Sequence, residues 1–321
     1  MFVAAAASAA SENLDATAAM WGGLALIVVV MLVIDFAFFA RTHIPGLGES
    51  ALWSVGWLAV ALAFGVVMTM WQGGDIGSQY FAGYILERTL SLDNVFVFAV
   101  VLSYFAVPPA VQPKLLGLGI GLAIVLRLIF ILAGAALLDA FHATFYVFGA
   151  LLLYTAFKLA RHAGEEMDPG RNPVLRVMRR VIPMSESYEG DRFFTQRAGR
   201  RIATPLLAVF AVIATTDVIF AIDSIPAIFA VTTEPLVVFA ANAFAMLGLR
   251  ALYFLVVGMR DRFVYLSQGL AVILAFVGVK MLMIDVWHVP IWLSLSFIVL
   301  VLAGATLLSL RAAPQLEGEA A

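Results

Sequence analysis

The sequence has no cysteine in its 321 residues, which excludes disulfides, thiolate metal sites, cysteine nucleophiles and iron–sulfur clusters. Histidine is almost as scarce. His43, His142, His162 and His288 share no helical spacing, and no H-E-x-x-H run offers a catalytic zinc. Charge is scarce too, with Asp, Glu, Lys and Arg making up 12% of the chain, against roughly 25% in ordinary soluble domains. A formal net charge of −2 provides no basic face for a nucleic acid. What fills the chain is apolar: 63% of residues are hydrophobic and the mean hydropathy is +1.02. There is too little polar surface to cover a water-facing sphere, so the chain is expected to be an all-α, polytopic membrane protein.

Nine windows are mostly apolar over the ~20 residues that a membrane helix needs. They cover about residues 21–40, 51–71, 79–106, 114–138, 141–160, 203–231, 234–257, 263–283 and 289–310. Residues 1–20 carry only Glu12 and Asp15 as charges, unlike a cleavable signal peptide. Of the 19 Lys and Arg, five (Arg88, Arg127, Lys158, Arg250 and Lys280) fall inside windows or at their edges. The other 14 all lie on one side if the chain starts outside. The opposite side holds Glu12, Asp15, Asp75, Asp139, Glu234 and Asp285 and no basic residue. The excess of positive charge on the cytoplasmic side then predicts nine spans, N-terminus outside and C-terminus inside.

The chain divides accordingly into an extracytoplasmic tail (1–20), a first membrane half with spans one to five (21–160), a cytoplasmic basic loop (161–202), a second half with spans six to nine (203–310) and a cytoplasmic tail (311–321). The loop mixes nine arginines with six acids, as a charged linker or short surface helix would. Both termini read as disordered.

Within or at the edges of the windows stand five acids, Asp35, Glu87, Asp93, Asp217 and Asp223, together with the five bases. Each costs roughly 3 kcal/mol at a helix centre unless paired, hydrated or bound to an ion. Lys158 and Arg88 have side chains long enough to snorkel to an interface; the short acids do not.

Their arrangement repeats. Glu87 and Asp93 stand six apart in span three, Asp217 and Asp223 six apart in span six, and each second acid is followed by a small polar residue, Asn94 or Ser224. One arginine follows in the next span, Arg127 or Arg250, and a lysine closes each series, Lys158 or Lys280. Spans 3–5 therefore match spans 6–8 in opposite orientation, an inverted 3+3 repeat of the kind secondary transporters build around a midplane site. Residues i and i+6 lie about 120° and about 9 Å apart on a regular helix. Either Pro226 breaks span six and lets both acids aim at one point, or the acids form two layers along one pathway.

Four carboxylates with the Asn94 carbonyl and the Ser224 hydroxyl form a hard oxygen set that suits Mg²⁺, Ca²⁺ or Mn²⁺. Glu87, Asp93, Asn94, Asp217 and Asp223 are the candidate metal residues. Ser91, Ser224, Asn242, Arg127, Arg250, Lys280 and Asp35 are the candidates for pathway or charge pairing. Competition between ion and protons for one carboxylate cluster predicts cation/proton exchange.

With these residues in hand, the chain resembles the TerC/Alx family of integral membrane proteins. The resemblance rests on G-Y-I-L-E-R-T-L-S-L-D-N-V-F-V-F (83–98), A-T-T-D-V-I-F-A-I-D-S-I-P-A-I-F-A-V-T (214–232) and N-A-F-A-M-L-G-L-R-A-L-Y-F (242–254). The basic loop between spans five and six looks like that of the shorter, Alx-like form. Arg88 stands where a lysine is usual, and Ala241 where a serine commonly precedes the asparagine.

The resemblance implies a nine-span protein of the bacterial inner membrane, with manganese efflux as its activity and tellurite resistance as the older family label. It implies no permanently bound cofactor. Mn²⁺ or another divalent ion is the cargo, protons are the counter-ions, and a homo-oligomer is allowed. The alternative is a structural or sensory subunit of a tellurite, metal or pH stress complex, engaging partners through the basic loop. An enzyme is not expected, because no nucleophile–base pair and no G-x-G-D run is present.

Overall fold

Apolar runs of bilayer length form helices because no other open backbone form hides its polar groups in lipid. The computed structural model describes residues 16–39, 46–161, 169–185, 187–197, 200–257, 265–286 and 289–319, of which 38, 39, 93, 171, 179, 197, 200, 266, 310 and 312–319 by their backbone alone. The membrane-type helices are α1 (Ala18–Phe39), α2 (Leu47–Gln72), α3 (Gly74–Tyr104), α4 (Gln112–Ala140) and α5 (Thr144–Arg161). After a loop segment with the short α6 (Pro173–Val181) come α7 (Pro205–Phe229), α8 (Pro235–Met246), α9 (Leu249–Val257), α10 (Leu266–Leu282) and α11 (Ile291–Glu319).

Each of the nine apolar windows holds helix, the seventh as two pieces, α8 and α9, bent by 41°. Five helices (α1, α2, α4, α7 and α11) are long and apolar enough to cross a membrane, and the bent pair makes six. The remaining three differ for visible reasons. Asp75, Glu87, Arg88 and Asp93 interrupt the apolar run of the 31-residue α3, and α5 and α10 are 18 and 17 residues long. The fold is a multi-pass, all-α membrane bundle.

Burial sorts these helices by chemistry. The charged α3 packs against α2, α7, α8, α9 and α11, so its polar face meets protein rather than lipid. Every residue of α8 from Leu236 to Met246 is buried, as expected of a helix apolar all round. The outermost helices expose large apolar side chains, Leu26, Val29 and Val33 on α1 and Trp292, Leu300 and Leu307 on α11. Surfaces of that kind belong in hydrocarbon.

Local contacts fix the helix directions. Gly83 of α3 lies against Ala241 of α8 and Arg88 reaches Ala245, so α3 and α8 run parallel. Gly119 of α4 meets Ile213 of α7 and Gly134 meets Phe229, so α4 and α7 run parallel. Against α7, Gln79 of α3 meets Thr232 just past the helix end and Gly83 meets Ile228, an antiparallel pairing. Helices α5 and α10 pack antiparallel at closest range where Gly149 and Gly278 cross. A Cβ on either glycine would stand 3.0 Å from the other's carbonyl oxygen.

One of the two geometries left open for span six is excluded, and one reading of the sequence is corrected. Pro226 does not break span six: α7 continues through it to Phe229. The break falls in span seven, at Leu247–Gly248, where Gly248 takes φ +81° and the Trp57 ring lies 2.7 Å from where a Cβ would stand. The C-terminal segment read as disordered continues α11 to Glu319; the N-terminal residues 1–15 lie outside the described residues.

The basic loop is more than a linker. It carries the expected surface helix, α6, and an antiparallel hairpin of β1 (Phe194–Arg197) and β2 (Arg200–Ala203) with Phe194 opposite Ala203. Three contacts fasten the segment to the bundle. The Tyr188 hydroxyl donates to the Phe105 carbonyl at 2.7 Å, Lys114 pairs with Asp191, and Phe193 packs edge-on to Phe210.

Candidate functional site

Two of the four candidate carboxylates meet at one guanidinium. Arg127 of α4 donates through Nη1 to Glu87 Oε1 of α3 and, at 3.2 Å, to Ser224 Oγ of α7. Its Nη2 reaches Asp217 Oδ1 of α7 at 3.5 Å. Glu87 and Arg127 are 0% exposed and Asp217 is 1%. One positive charge thus stands between two carboxylates in a buried interior. With both acids ionised the triad is one positive charge short, and a buried uncompensated charge is strongly disfavoured. One proton restores the balance.

Among the described residues several buried oxygens near this triad lack hydrogen-bond partners: Glu87 Oε2, Asp217 Oδ2 and Ser91 Oγ. Asn242 of α8, 1% exposed, leaves both amide atoms without partners. Buried polar atoms are nearly always satisfied, so these are places for water or an ion. Asn94 is also buried. The antiparallel register of α3 and α7, which brings Glu87 beside Ser224, sets Asn94 opposite Asp217.

The other sequence candidates lie apart from the triad. Asp223, half-buried, accepts from Thr155 Oγ1 of α5 at 2.9 Å and is within electrostatic reach of Lys158. Lys158 stands three residues after Thr155, on the same helix face, so it has a charge partner instead of only an interface to snorkel to. The side chain of Asp93 lies outside the described residues. Among those that are described, no three His, Asp or Glu side chains gather into a metal-holding group.

Arg250 does not face the triad. It is 0% exposed, pairs with the Asp35 carboxylate and carbonyl of α1, and donates to the Pro113 carbonyl at 3.2 Å. The two arginines that match in sequence therefore serve different acids.

Arg88, whose side chain is long enough to snorkel, instead donates to the carbonyls of Ala245 at 2.9 Å and Leu247 at 3.4 Å. These acceptors are orphaned where α8 ends, so Arg88 caps the helix break.

Lys280 donates to Ser294 Oγ at 3.2 Å. It lines a cavity of 220 Å³ with Gln79, Thr232 and Glu234, at the start of α3 and the end of α7. A second cavity, of 460 Å³, opens at the other end of α3 between Phe96, Ser103, Ala106, Gln112 and Tyr253. The triad lies between these levels.

Sequence reasoning missed Thr155 and the Gln79–Thr232 pair. Thr155 has a visible clue, a hydroxyl three residues before an intramembrane lysine.

Residues 72–316 match the model of the family described as "Integral membrane protein TerC family". The protein named "Putative membrane-bound redox modulator Alx" of Salmonella typhi is 43% identical over 89% of this chain and 92% of its own length. The protein of the same name in Escherichia coli K12 is 41% identical over 89% and 92%. "Uncharacterized membrane protein STKORF319" of Myxococcus xanthus is 41% identical over 94% and 96%. No solved structure matches the chain. The chain belongs to the TerC family of integral membrane proteins.

Proposed function

We propose that the protein exports a divalent cation, Mn²⁺ first among the candidates, in exchange for protons, and that it is a transporter and not an enzyme. One observation carries the reading: Glu87 and Asp217, from separate halves of the chain, are buried against the single guanidinium of Arg127 with one oxygen each left without a partner. That arrangement is one positive charge short; a proton fills the deficit, a divalent ion overshoots it by one charge that a further carboxylate along the route must match, and competition for the same oxygens couples their movements. The oxygens of Glu87, Asp217, Ser91, Asn94 and Asn242 suit a hard cation. Asp223 and Asp93 form a further layer along the route. Of the two geometries left open by the sequence, the continuous α7 favours layers.

The nine-span, inverted-repeat reading is supported by the helix directions. Parallel α3 with α8 matches parallel α4 with α7, while α5 with α10 and α3 with α7 are antiparallel pairs that exchange into themselves. Exchanging the two repeats maps each pairing onto another of the set. The proposed setting is the bacterial inner membrane, N-terminus outside, with the 220 Å³ cavity on the outer side and the 460 Å³ cavity on the inner. The cation is cargo and no resident cofactor is proposed.

Purified protein in liposomes, offered a panel of divalent ions with and without a pH gradient, tests the reading. Mn²⁺ flux that follows the gradient and stops in Asp217→Asn is the expected result.

A second reading, a stress-complex subunit, draws on the relatives' printed name of redox modulator. With no cysteine in these 321 residues, thiol redox chemistry is closed to this chain, and control of a redox-active metal is the simpler link to that name.

A further inference from the structure

Helix α6 turns one side to the bundle and leaves the other open. The Asn172 Oδ1 caps it, accepting from Val174 N at 2.9 Å and Leu175 N at 3.3 Å, and Pro173 opens its first turn. Leu175, 1% exposed, belongs to the main core, with Val174 and Met178 half-buried beside it and α7 packed alongside. Arg176, Val177, Arg180 and Val181 form the open side. Their spacing of i, i+1, i+4 and i+5 makes one stripe in which guanidinium and isopropyl groups are interleaved. Val177 is 59% exposed and Val181 72%. A stripe both basic and apolar has the composition that binds an anionic bilayer surface.

The height of α6 agrees. Only a few residues beyond its end, Tyr188 donates to the carbonyl of Phe105 just after α3, and Asp191 pairs with Lys114 in the first turn of α4. The segment is thus tethered at the level where two bundle helices end. Arg192 and Arg201 are also exposed on it, and the exposed Asp191 is matched by Lys114.

We propose that the open stripe of α6 docks on anionic phospholipid headgroups of the adjoining leaflet, the arginines on phosphates and the valines in the headgroup boundary. This rests on the multi-span reading, which brings the ends of α3 and α4 to the bilayer surface. Charge complementarity selects the occupant, because the stripe has no acid to match a basic or neutral partner.

Because the sequence has no cysteine, Val177→Cys accepts a single environment-sensitive fluorophore without background. The full chain carrying it is placed in nanodiscs of phosphatidylcholine alone or mixed with phosphatidylglycerol. In the anionic discs the emission shifts to the blue and rises roughly two-fold or more, and high salt or Arg176→Gln with Arg180→Gln removes the change. Equal emission in both lipids overturns the proposal in favour of a solvated face. A blue shift in both lipids that ignores salt and the glutamines overturns it in favour of a protein contact. The same fluorophore at Leu62→Cys, an exposed apolar position on α2, reports lipid in both discs. Its failure to do so would remove the multi-span reading itself, which keeps the two failures distinct.

Discussion

Glu87 and Asp217, 130 positions apart in sequence, are held by opposite arms of one guanidinium, that of Arg127. Neither acid has another base in reach of a hydrogen bond among the described residues. Removing Arg127 would leave two buried carboxylates facing each other, and stripping one partner from a buried ion pair costs about 3–5 kcal/mol. Arg127→Met should therefore lower the apparent Tm of the purified protein and its membrane level. Adding Glu87→Gln to Arg127→Met should recover part of the Tm without recovering transport. Full transport by the double variant would remove the triad from the mechanism.

The bend between α8 and α9 depends on a glycine. Gly248 sits at φ +81° with the Trp57 ring where a side chain would be. Gly248→Ala should cost about 1–3 kcal/mol from backbone strain alone, with the Trp57 contact adding to it, and should show as a lower apparent Tm. An unchanged Tm would mean that the bend forms without left-handed backbone.

Arg88 caps that same bend through the Ala245 and Leu247 carbonyls. Arg88→Lys keeps a charged donor and should retain most of the transport rate. Arg88→Met leaves the carbonyls unpaired at about 1–3 kcal/mol and should reduce rate and Tm together. Equal behaviour of the two variants would argue against the capping role.

Asp191 is paired with Lys114 at the surface, and the hydrogen bond and charge of that lysine hold its carboxyl below the usual carboxylate range. A lowered folded value means that the pair favours the docked segment above pH ~4, and that this contribution fades as the pH falls through the lowered value. Asp191→Asn should speed proteolysis of the 187–197 segment at neutral pH and low salt. The difference should vanish in high salt, because an exposed pair is screened. A difference that persists in high salt would assign the docking to Tyr188 and Phe193 instead.

Much of this was legible in the sequence because hydrophobic length and charge placement are local properties. The nine apolar windows and the repeated acids required nothing but counting. Three-dimensional pairings were less legible. Arg127 and Arg250 look equivalent by interval, yet α1 brings Asp35 to only one of them. A break at Pro226 was one of the two geometries left open because proline forbids a hydrogen bond, but near the end of α7 that missing donor costs little. The actual break rests on Gly248 and a tryptophan from another helix, a contact no local rule exposes. The capping role of Arg88 was not legible because its acceptors are main-chain carbonyls, and carbonyls leave no trace in composition.

The measurement that bears most directly on the central claim is Mn²⁺ flux into sealed liposomes under an imposed pH gradient, with native protein, Glu87→Gln and Asp217→Asn side by side. Flux should follow the proton gradient, reverse when the gradient is reversed, and fall to the level of empty liposomes in both variants while their elution profiles stay native. Undiminished flux in both variants, or native protein that moves no divalent ion, would contradict the account.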